Sequence, residues 1–278
     1  MGENYSIAVC IKYLINSLVD YLATMKIRLY FSLILVIVAI PIAVKEVDMN
    51  IANAFVYGDS LLSLSLENQS EDEWMNTFDY DACTFSTHGS NEYFILEPGY
   101  KAILESKDKS HNSQLLITVL NETKVVNGIE TRIVEEKETE DGDLKEISRN
   151  YFAICNPTSD VFYFGEDVDM YENGAVTNHE GSWLAGIEDS KAGLIMPGDP
   201  QVGMKYYQEM APGVAQDRAE VLSIDDSTSI PSGEYDKVLK IEESNPLEPG
   251  VKELKYYAPQ VGLIQDEELI LVNYTGVE

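Results

Sequence analysis

Hydrophobic and polar positions alternate in short runs from about residue 93 onwards, and this period of two predicts antiparallel β-strands. The segment "TKVVNGIETRIVEE" is the clearest hairpin, because Asn127-Gly128 supplies the positive φ angles that a two-residue type I′ turn requires. Asp141-Gly142 and Asn173-Gly174 mark further corners. Periodic stretches of helix length are nearly absent after residue 45. The sequence therefore predicts a mainly β fold.

The β region also resembles itself. Pro98-Gly99 matches Pro197-Gly198, and "YFA" from Tyr151 matches "YYA" from Tyr256, with the intervening pattern of strands and turns kept in order. Such self-similarity is typical of a duplicated unit. The prediction is two tandem, related antiparallel β-meander sheets, arranged as a sandwich or half-barrel, after an N-terminal hydrophobic helix.

One long apolar run precedes the β region. It follows Lys26 and Arg28 and extends from Leu29 to Val44 without a charged residue. Basic residues followed by an apolar segment are typical of a secretory signal peptide or a membrane anchor, although a full span needs about 20 residues. We therefore expect residues 29–44 to contact a membrane. The protein is expected to be exported, and either anchored at the cell surface or secreted.

These patterns divide the chain into six segments. Met25 is an alternative start of the natural protein, which would make the residues before it an extension. The predicted segments are a cytoplasmic or extra extension at 1–24, the signal peptide or anchor at 25–45, an acidic lead-in at 46–90, the first β-sheet unit at 91–170, a connector at 171–195, and the second β-sheet unit at 196–278.

The charge balance excludes one class of partner. The chain carries 48 acidic and 19 basic residues, a formal net charge of −29. A nucleic-acid backbone would be repelled by such a protein, so no nucleic-acid partner is expected. No glycine-rich phosphate loop, Gly-x-Ser-x-Gly elbow or His-Glu-x-x-His pair is present, and no cofactor is predicted. The sequence does not indicate an oligomeric state.

Export of the protein would change how its cysteines are interpreted. Cys83 and Cys155 are the two cysteines that follow the apolar run, and an oxidising compartment would allow a disulfide between them. The alternative is two separate buried thiols. With three histidines in the chain and no Cys-x-x-Cys, a closed zinc site is not expected.

The acidic stretch "YFGEDVDMYENG" starts at Tyr163 and invites comparison with a metal site. Read as a strand, it places Asp167 and Asp169 on a polar face and Glu166 among apolar neighbours. Either a bulge at Gly165 redirects Glu166 to a rim, or Glu166 is buried with a shifted pKa. The spacing of Asp167 and Asp169 fails the EF-hand pattern, so they form a weak calcium candidate.

Other residues are candidates for catalysis or ligand binding. His179 lies in the connector, and together with Glu166 or Glu209 it could supply acid–base chemistry if the fold brings them together. The alternative for this connector is an ordinary loop anchored by Trp183. Trp183, Tyr206 and Tyr256 are candidate ligand-binding aromatic residues, since such rings combine apolar area with a polar tip.

Several longer segments, among them "YFILEPGYK", "NYFAICNPTSDVFYFGEDVDMY", "YYQEMAPGVAQDRAE" and "PLEPGVKELKYYAPQVGLIQD", resemble an uncharacterised family of exported bacterial and archaeal β-rich envelope proteins of unknown function. The resemblance spans about residues 91–272 and implies an exported, sheet-rich domain, with no catalytic residue to transfer.

These observations lead to two hypotheses about function. The first is a non-catalytic binding or structural protein of the cell envelope, in its concrete form a carrier-like β domain for a lipid, another hydrophobic ligand or a glycan. The alternative is an extracellular hydrolase that uses carboxylates and His179 near the connector. A deep groove lined by aromatic residues would favour the carrier. A pocket that joins His179 to Glu166 or Glu209 would favour the enzyme.

Overall fold

The prediction of a mainly β protein is confirmed by a computed structural model, which describes residues 74–107 and 112–275. A short 3-10 turn, Tyr80–Ala82, precedes the first strand. The strands of this part of the chain are β1 (Phe85–Ser86), β2 (Lys101–Ser106), β3 (Ser113–Val126), β4 (Ile129–Glu140), β5 (Asp143–Cys155), β6 (Asp160–Glu172), β7 (Ala175–Asn178), β8 (Trp183–Leu184), β9 (Lys191–Met196), β10 (Lys205–Tyr207), β11 (Glu209–Met210), β12 (Arg218–Ile230), β13 (Gly233–Ser244), β14 (Lys252–Ala258), β15 (Gly262–Asp266) and β16 (Leu269–Thr275).

The strands of both halves of the chain lie in one antiparallel sheet. Strands β2 to β6 are neighbours in chain order, and so are β12 to β16. Strand β16 pairs with β2, from Leu269 opposite Ser106 to Thr275 opposite Lys101. This pairing satisfies backbone groups that two separate sheets would leave as open edges. The two tandem sheets predicted from the sequence are therefore not confirmed.

A similar local arrangement does recur within this sheet, at Gly99 and Gly203 rather than at the aligned positions Gly99 and Gly198. The N–H of Gly99 donates to the carbonyl of Val119 at 2.9 Å, and the N–H of Gly203 donates to the carbonyl of Val221 at 2.8 Å. These bonds precede equivalent pairings, β2 with β3 and β10 with β12.

The sheet is nearly closed by residues 205–210. Strand β10 pairs with β12 at one end of the strand order, and β11 pairs with β9 at the other end. Gln208 is the residue between β10 and β11. Gly193 allows this crossing, because a Cβ at this position would lie 2.3 Å from the carbonyl oxygen of Gln208. One continuous segment thus pairs with both ends of the sheet.

The interior of the nearly closed sheet is apolar over much of its length. Val119 pairs with Val134, and both are buried. Leu104, Ile241 and Ile264 have no exposed surface. Successive side chains of a strand point to opposite faces, so every second residue points into this interior. The branched and aliphatic side chains at those positions fill it.

Residues 74–90, the described part of the acidic lead-in, form a strap on the outside of β5 and β6. Tyr80 and Phe85 of this strap pack against Phe162 and Phe164, with ring centroids 5.2–6.4 Å apart. The hydroxyl of Tyr80 also donates to the carbonyl of Ala192 at 2.6 Å. The strap is therefore part of the packed structure.

A disulfide between Cys83 and Cys155 fixes the strap covalently to β5. At the start of the strap, the guanidinium carbon of Arg218 lies 4.5 Å from the centroid of the Trp74 ring. The backbone of Met75 bonds to the chain on both sides of Tyr206 in β10. The strap is thus held at two separate places.

The predicted extension, the apolar segment 25–45 and most of the lead-in lie outside the described residues. Within residues 74–107 and 112–275, no helix is long and apolar enough to cross a membrane.

Loss of the disulfide is expected to destabilise the fold. The two cysteines are separated by 72 positions. The chain-entropy view of such a cross-link gives about 4 kcal/mol. We expect the double variant Cys83→Ser, Cys155→Ser to unfold about 10 °C below the parent. Cys10→Ser serves as the matched control and should leave the melting temperature unchanged. If a reductant lowers the melting temperature of the double variant as much as that of the parent, the cross-link is not the cause.

Candidate functional site

One part of the interior is polar. Along some strands, the inward-facing positions are first apolar and then carry carboxylates. Val134 on β4 is followed two positions later by Glu136, and Ile241 on β13 is followed by Glu243. Residues two apart on a strand share a face. Both glutamates therefore lie on the face of the buried core residues that precede them.

Strands from both halves of the chain contribute to this polar part. Each carboxylate acts electrostatically on at least one other member of the group. We call the group the interior carboxylate cluster; its members are Glu136, Glu146, Glu166, Glu209, Asp217, Glu243 and Asp266, and Lys255 lies among them.

Lys255 on β14 already has partners. Its Nζ lies 2.8 Å from Glu243 Oε2 and 3.8 Å from Asp266 Oδ2. Burial alone would lower the pKa of Lys255, but the charges of Asp266 and Glu243 hold it well above its usual value. Lys255 therefore stays charged and neutralises its own side of the cluster.

Glu166 on β6 lies on the other side of the cluster. Burial, followed by the charge of Glu146, raises the pKa of Glu166 to about 8, although a hydrogen bond from Tyr163 acts in the opposite direction. Burial likewise raises the pKa of Glu136 and of Glu146 to about 7. At neutral pH these carboxyl groups consequently hold a large share of their protons.

A bulge at Gly165 places Glu166 in the interior. Asn150 on β5 pairs with Glu166, whereas Phe152 pairs with Tyr163, so β6 has one residue more than β5 over this interval. Gly165 has a φ of 141°, and a Cβ there would lie 2.5 Å from the carbonyl oxygen of Trp183. Tyr163 and Glu166 therefore both point inwards.

This bulge corrects the assignment of faces made from simple alternation. Simple alternation along β6 would place Phe162 and Phe164 on the face of Glu166, but they lie outside, under the strap. The sequence offered a bulge and a buried Glu166 with a shifted pKa as alternatives. In the structure the two occur together, since the bulge at Gly165 directs Glu166 inwards rather than to a rim.

Glu209 on β11 is the most deeply buried acid of the cluster, with 3% of its surface exposed. Burial, followed by the charge of Asp217, holds the pKa of Glu209 well above its usual value. The side chains of Asp217 and Trp183 both lie within hydrogen-bonding reach of Glu209, the first raising its pKa and the second lowering it. Trp183 Nε1 and Glu209 Oε2 therefore face each other as donor and acceptor, without a well-formed hydrogen bond.

The cluster retains contact with solvent. Glu136, Glu146 and Glu166 are half-buried, although burial dominates their raised pKa values. The Lys255 side chain keeps 24% of its surface exposed, and that of Glu243 keeps 12%. The interior carboxylate cluster is therefore in partial contact with solvent, and we call this part of the interior the recess.

The calcium candidate lies on the opposite, outer face of β6. Asp167 accepts hydrogen bonds from Tyr151 and from Lys124, whose Nζ is 2.9 Å away. Asp169 binds Arg149 at 3.0 Å. Across residues 74–107 and 112–275, no group of three or more His, Cys, Asp or Glu side chains is placed to hold a metal ion. Protein cations neutralise these two aspartates, and the calcium hypothesis gains no support.

His179 belongs to the same outer face. Its Nδ1 lies 3.0 Å from Asp169 Oδ1 and 2.8 Å from the carbonyl oxygen of Val168. Both partners are acceptors, so Nδ1 carries the proton. Because Glu166 points to the interior, β6 separates His179 from the cluster. The structure does not bring His179 together with Glu166, whereas it does place Glu166 near Glu209.

The three candidate aromatic residues lie in three different environments. Trp183 is buried against Tyr163, with ring centroids 5.3 Å apart, beside the carboxylate cluster. Tyr206 is fully buried and its hydroxyl has no partner. Tyr256 is half-buried, with the ammonium of Lys240 5.5 Å from its ring centroid. Trp183 lies beside Glu209, and Glu243 acts on Tyr206, so both of these aromatic residues lie next to members of the cluster.

Sequence reasoning missed most of the acids of the recess. The pattern does contain a signal, because Glu136 and Glu243 continue the apolar positions of their own strands. Glu243, which acts on Glu136, lies more than 100 positions from it in the chain. No local pattern indicates that these acids meet.

Comparisons of this chain with protein-family models, with curated proteins and with solved structures find no match. The family resemblance described above therefore stays a prediction.

Substitution of Gly165 tests the geometry that positions Glu166 and Trp183. We expect Gly165→Ala to destabilise the fold by about 2 kcal/mol or more, because the added Cβ would collide with the backbone of Trp183 in a backbone conformation that alanine disfavours. Gly174→Ala is the matched control: Gly174 also has a positive φ, but a Cβ there meets no atom within 4 Å. Denaturant unfolding of the two variants measures the difference, and equal losses would contradict the proposed contact.

The stability of the protein is expected to fall between pH 5 and pH 8. The pKa of Glu166 is about 8 in the folded protein and 4.5 as an ordinary glutamate. Its contribution to stability is therefore complete below about pH 4.5 and is lost as the pH rises through 8. Glu166→Gln should flatten this decline and melt at least about 5 °C above the parent at pH 8.

Glu172→Gln removes a charge from the exposed end of the same strand and serves as the control. Thermal unfolding of the parent and both variants at several pH values tests this prediction. If the melting temperature of Glu166→Gln falls with pH as steeply as that of the parent, the raised pKa of Glu166 is not the cause.

Proposed function

We propose that this protein is an exported, non-catalytic binding protein of the cell envelope, and that the interior carboxylate cluster with Trp183 forms its ligand site. Two kinds of observation support the proposal. One concerns the compartment, and the other concerns the recess.

Export is supported by the apolar segment 29–44 and by the disulfide. Disulfides persist mainly in oxidising compartments. The bond between Cys83 and Cys155 suits such a compartment. The proposal includes a membrane contact through the apolar segment, with the β domain on the outer side.

The observation that carries the binding function is the group of acids that the fold places in its interior. Carboxylates enclosed by protein are costly unless a proton, a cation or a hydrogen-bond donor satisfies them. Glu209 has 3% of its surface exposed, and its Oε2 has no well-formed hydrogen bond although Asp217 and Trp183 lie within reach. A ligand that donates a hydrogen bond to these acids would lower this cost.

A lipid carrier needs a wide apolar groove, whereas the apolar interior of this sheet is filled by its own side chains. We therefore place the ligand in the polar recess. The hydrolase alternative has less support, because His179 bonds to Asp169 on the outer face.

Native mass spectrometry of the full-length protein, recovered from the membranes and medium of its source, tests the proposal. We expect a bound small molecule in the parent, and its loss in Glu209→Gln and in Trp183→Phe, which keeps an aromatic ring but lacks the N–H. Glu172→Gln should retain the ligand. If the parent carries no small molecule, and no fraction of an extract from the same source raises its melting temperature, the proposal fails.

A further inference from the structure

Two acceptor sequences for N-linked glycans lie in the described part of the chain. An acceptor reads Asn-x-Ser/Thr, in which x is any residue except proline. Residues 121–123, Asn-Glu-Thr, meet this rule on β3, and residues 273–275, Asn-Tyr-Thr, meet it on β16. Asn156 begins Asn-Pro-Thr, which breaks the rule at its middle position. The fold determines whether each asparagine has room for a glycan.

Asn121 lies at the centre of a bulge in β3. The register of β3 and β4 shifts between Val119 and Thr123, where three residues of β3 lie opposite one residue of β4. Asn121 is the middle residue of these three, and it is exposed. The backbone therefore leaves the ladder of strand hydrogen bonds at the residue that would carry the glycan.

A buried side chain gives this bulge its shape. Arg132 on β4 has 6% of its surface exposed. Its Nη1 donates to the carbonyl of Leu120 at 3.3 Å and to the carbonyl of Glu122 at 3.2 Å, and its Nε donates to the carbonyl of Thr87 in the strap at 2.7 Å. The carbonyls on both sides of Asn121 are thus held against the protein. The bulge is a fixed feature of the fold that leaves the Asn121 side chain in solvent.

Asn273 also lies on the outer side of the sheet. The register of β16 and β2 shifts between Leu271 and Asn273. Asn273 is exposed and pairs with Ile103, whose neighbours Ala102 and Leu104 are buried in the interior. Successive residues of a strand alternate between faces, and paired residues share a face. Ile103 and Asn273 therefore both point outwards.

The two side-chain amides are not engaged by the fold. Among residues 74–107 and 112–275, no group forms a hydrogen bond with the side-chain amide of Asn121 or of Asn273. Strand β2 lies between β3 and β16, so both amides extend from the same part of the outer wall. Attachment of a sugar to either amide therefore breaks no hydrogen bond of the described structure.

We propose that Asn121 carries an N-linked oligosaccharide, and that Asn273 is a second site of the same modification. In the reaction, the side-chain nitrogen forms a bond to the anomeric carbon of the first sugar of a lipid-linked oligosaccharide. The bond from that carbon to a phosphate oxygen breaks, and the lipid phosphate leaves with the bonding electrons and takes up the proton that the nitrogen loses. The inference rests on the proposed export of the chain and does not depend on the ligand site in the recess.

The third residue of each acceptor sequence determines when the sugar is attached. Thr123 Oγ1 donates to Glu130 Oε1 at 3.0 Å, and the backbone N–H of Lys101 donates to Thr275 Oγ1 at 2.9 Å. The acceptor rule requires a hydroxyl group at this position, so the transferase must reach it. Both hydroxyl groups are engaged once the strands have paired. Transfer therefore precedes folding, and folding then places the glycans on the outer wall.

Mass spectrometry of peptides from the full-length protein, recovered from the membranes and medium of its source, tests this inference. We expect the peptide that contains Asn121 to carry the added mass of an oligosaccharide in most molecules, and the peptide that contains Asn273 to carry it as well. Asn156 is exposed but is followed by proline, and it should be unmodified.

Variants expressed in the same source test whether the acceptor rule is the cause. Asn121→Gln and Thr123→Val should each lose the added mass at this site, whereas Thr123→Ser should retain it, because serine supplies the hydroxyl group. Valine keeps the β-branch of threonine, so Thr123→Val suits the strand. An intact bond between Cys83 and Cys155 in the same spectra shows that each variant still folds.

The outcomes separate this inference from the proposed function. If the protein is exported and Asn121 is unmodified, the inference is overturned and the binding function is unaffected. A glycan on Thr123→Val at Asn121, or on Asn156 of the parent, would also overturn it, since the modification would then not follow the acceptor sequence. If the protein is found only inside the cell, export is wrong and both proposals fail.

Discussion

The pairing of residues 205–210 with both ends of the sheet is the constraint on which the rest of the structure depends. Within this segment, β10 pairs with β12 at one end of the strand order. One residue further along the chain, β11 pairs with β9 at the other end. Without this segment the sheet would have two open edges, and its apolar face would be exposed to water. The approach requires the absence of a side chain at Gly193. Closure creates an interior, and an interior forces every inward residue either to pack or to find a partner.

The inward-facing side chains are accommodated in two ways. Over much of its length the interior is filled by branched and aliphatic side chains such as Leu104 and Ile264. In the remaining part the strands carry acids, whose charge is held by Lys255 on one side and by protons on the other. A core selected for stability alone would use apolar residues there, since a buried charge is rarely worth its desolvation. Sites that sacrifice stability in this way are where function is concentrated.

The sequence predicts structural features that a few neighbouring residues determine, and it does not predict contacts between segments that are distant in the chain. The Asn127-Gly128 hairpin was predicted and is confirmed, with Val126 opposite Ile129, because a turn of this kind is encoded by two residues. The position of Glu166 required knowledge of the bulge, which depends on the backbone of Trp183 approaching Gly165. The pairing of β16 with β2 joins segments that are far apart in the chain, and Glu166 meets Glu209 because β9 and β11 follow β6 in the strand order. No periodicity within one segment carries that information.

The position of the disulfide determines how the domain bears mechanical load. A pull on the chain upstream of Trp74 first strains the short contacts at Met75 and then reaches Cys83. From there the covalent bond passes the force to Cys155 on β5, a strand with neighbours on both sides. Strands peel from an edge one hydrogen bond at a time, whereas a load applied to an inner strand must shear many bonds together. The strap therefore protects the sheet from unzipping, and a chain held in this way resists traction from its N-terminal side.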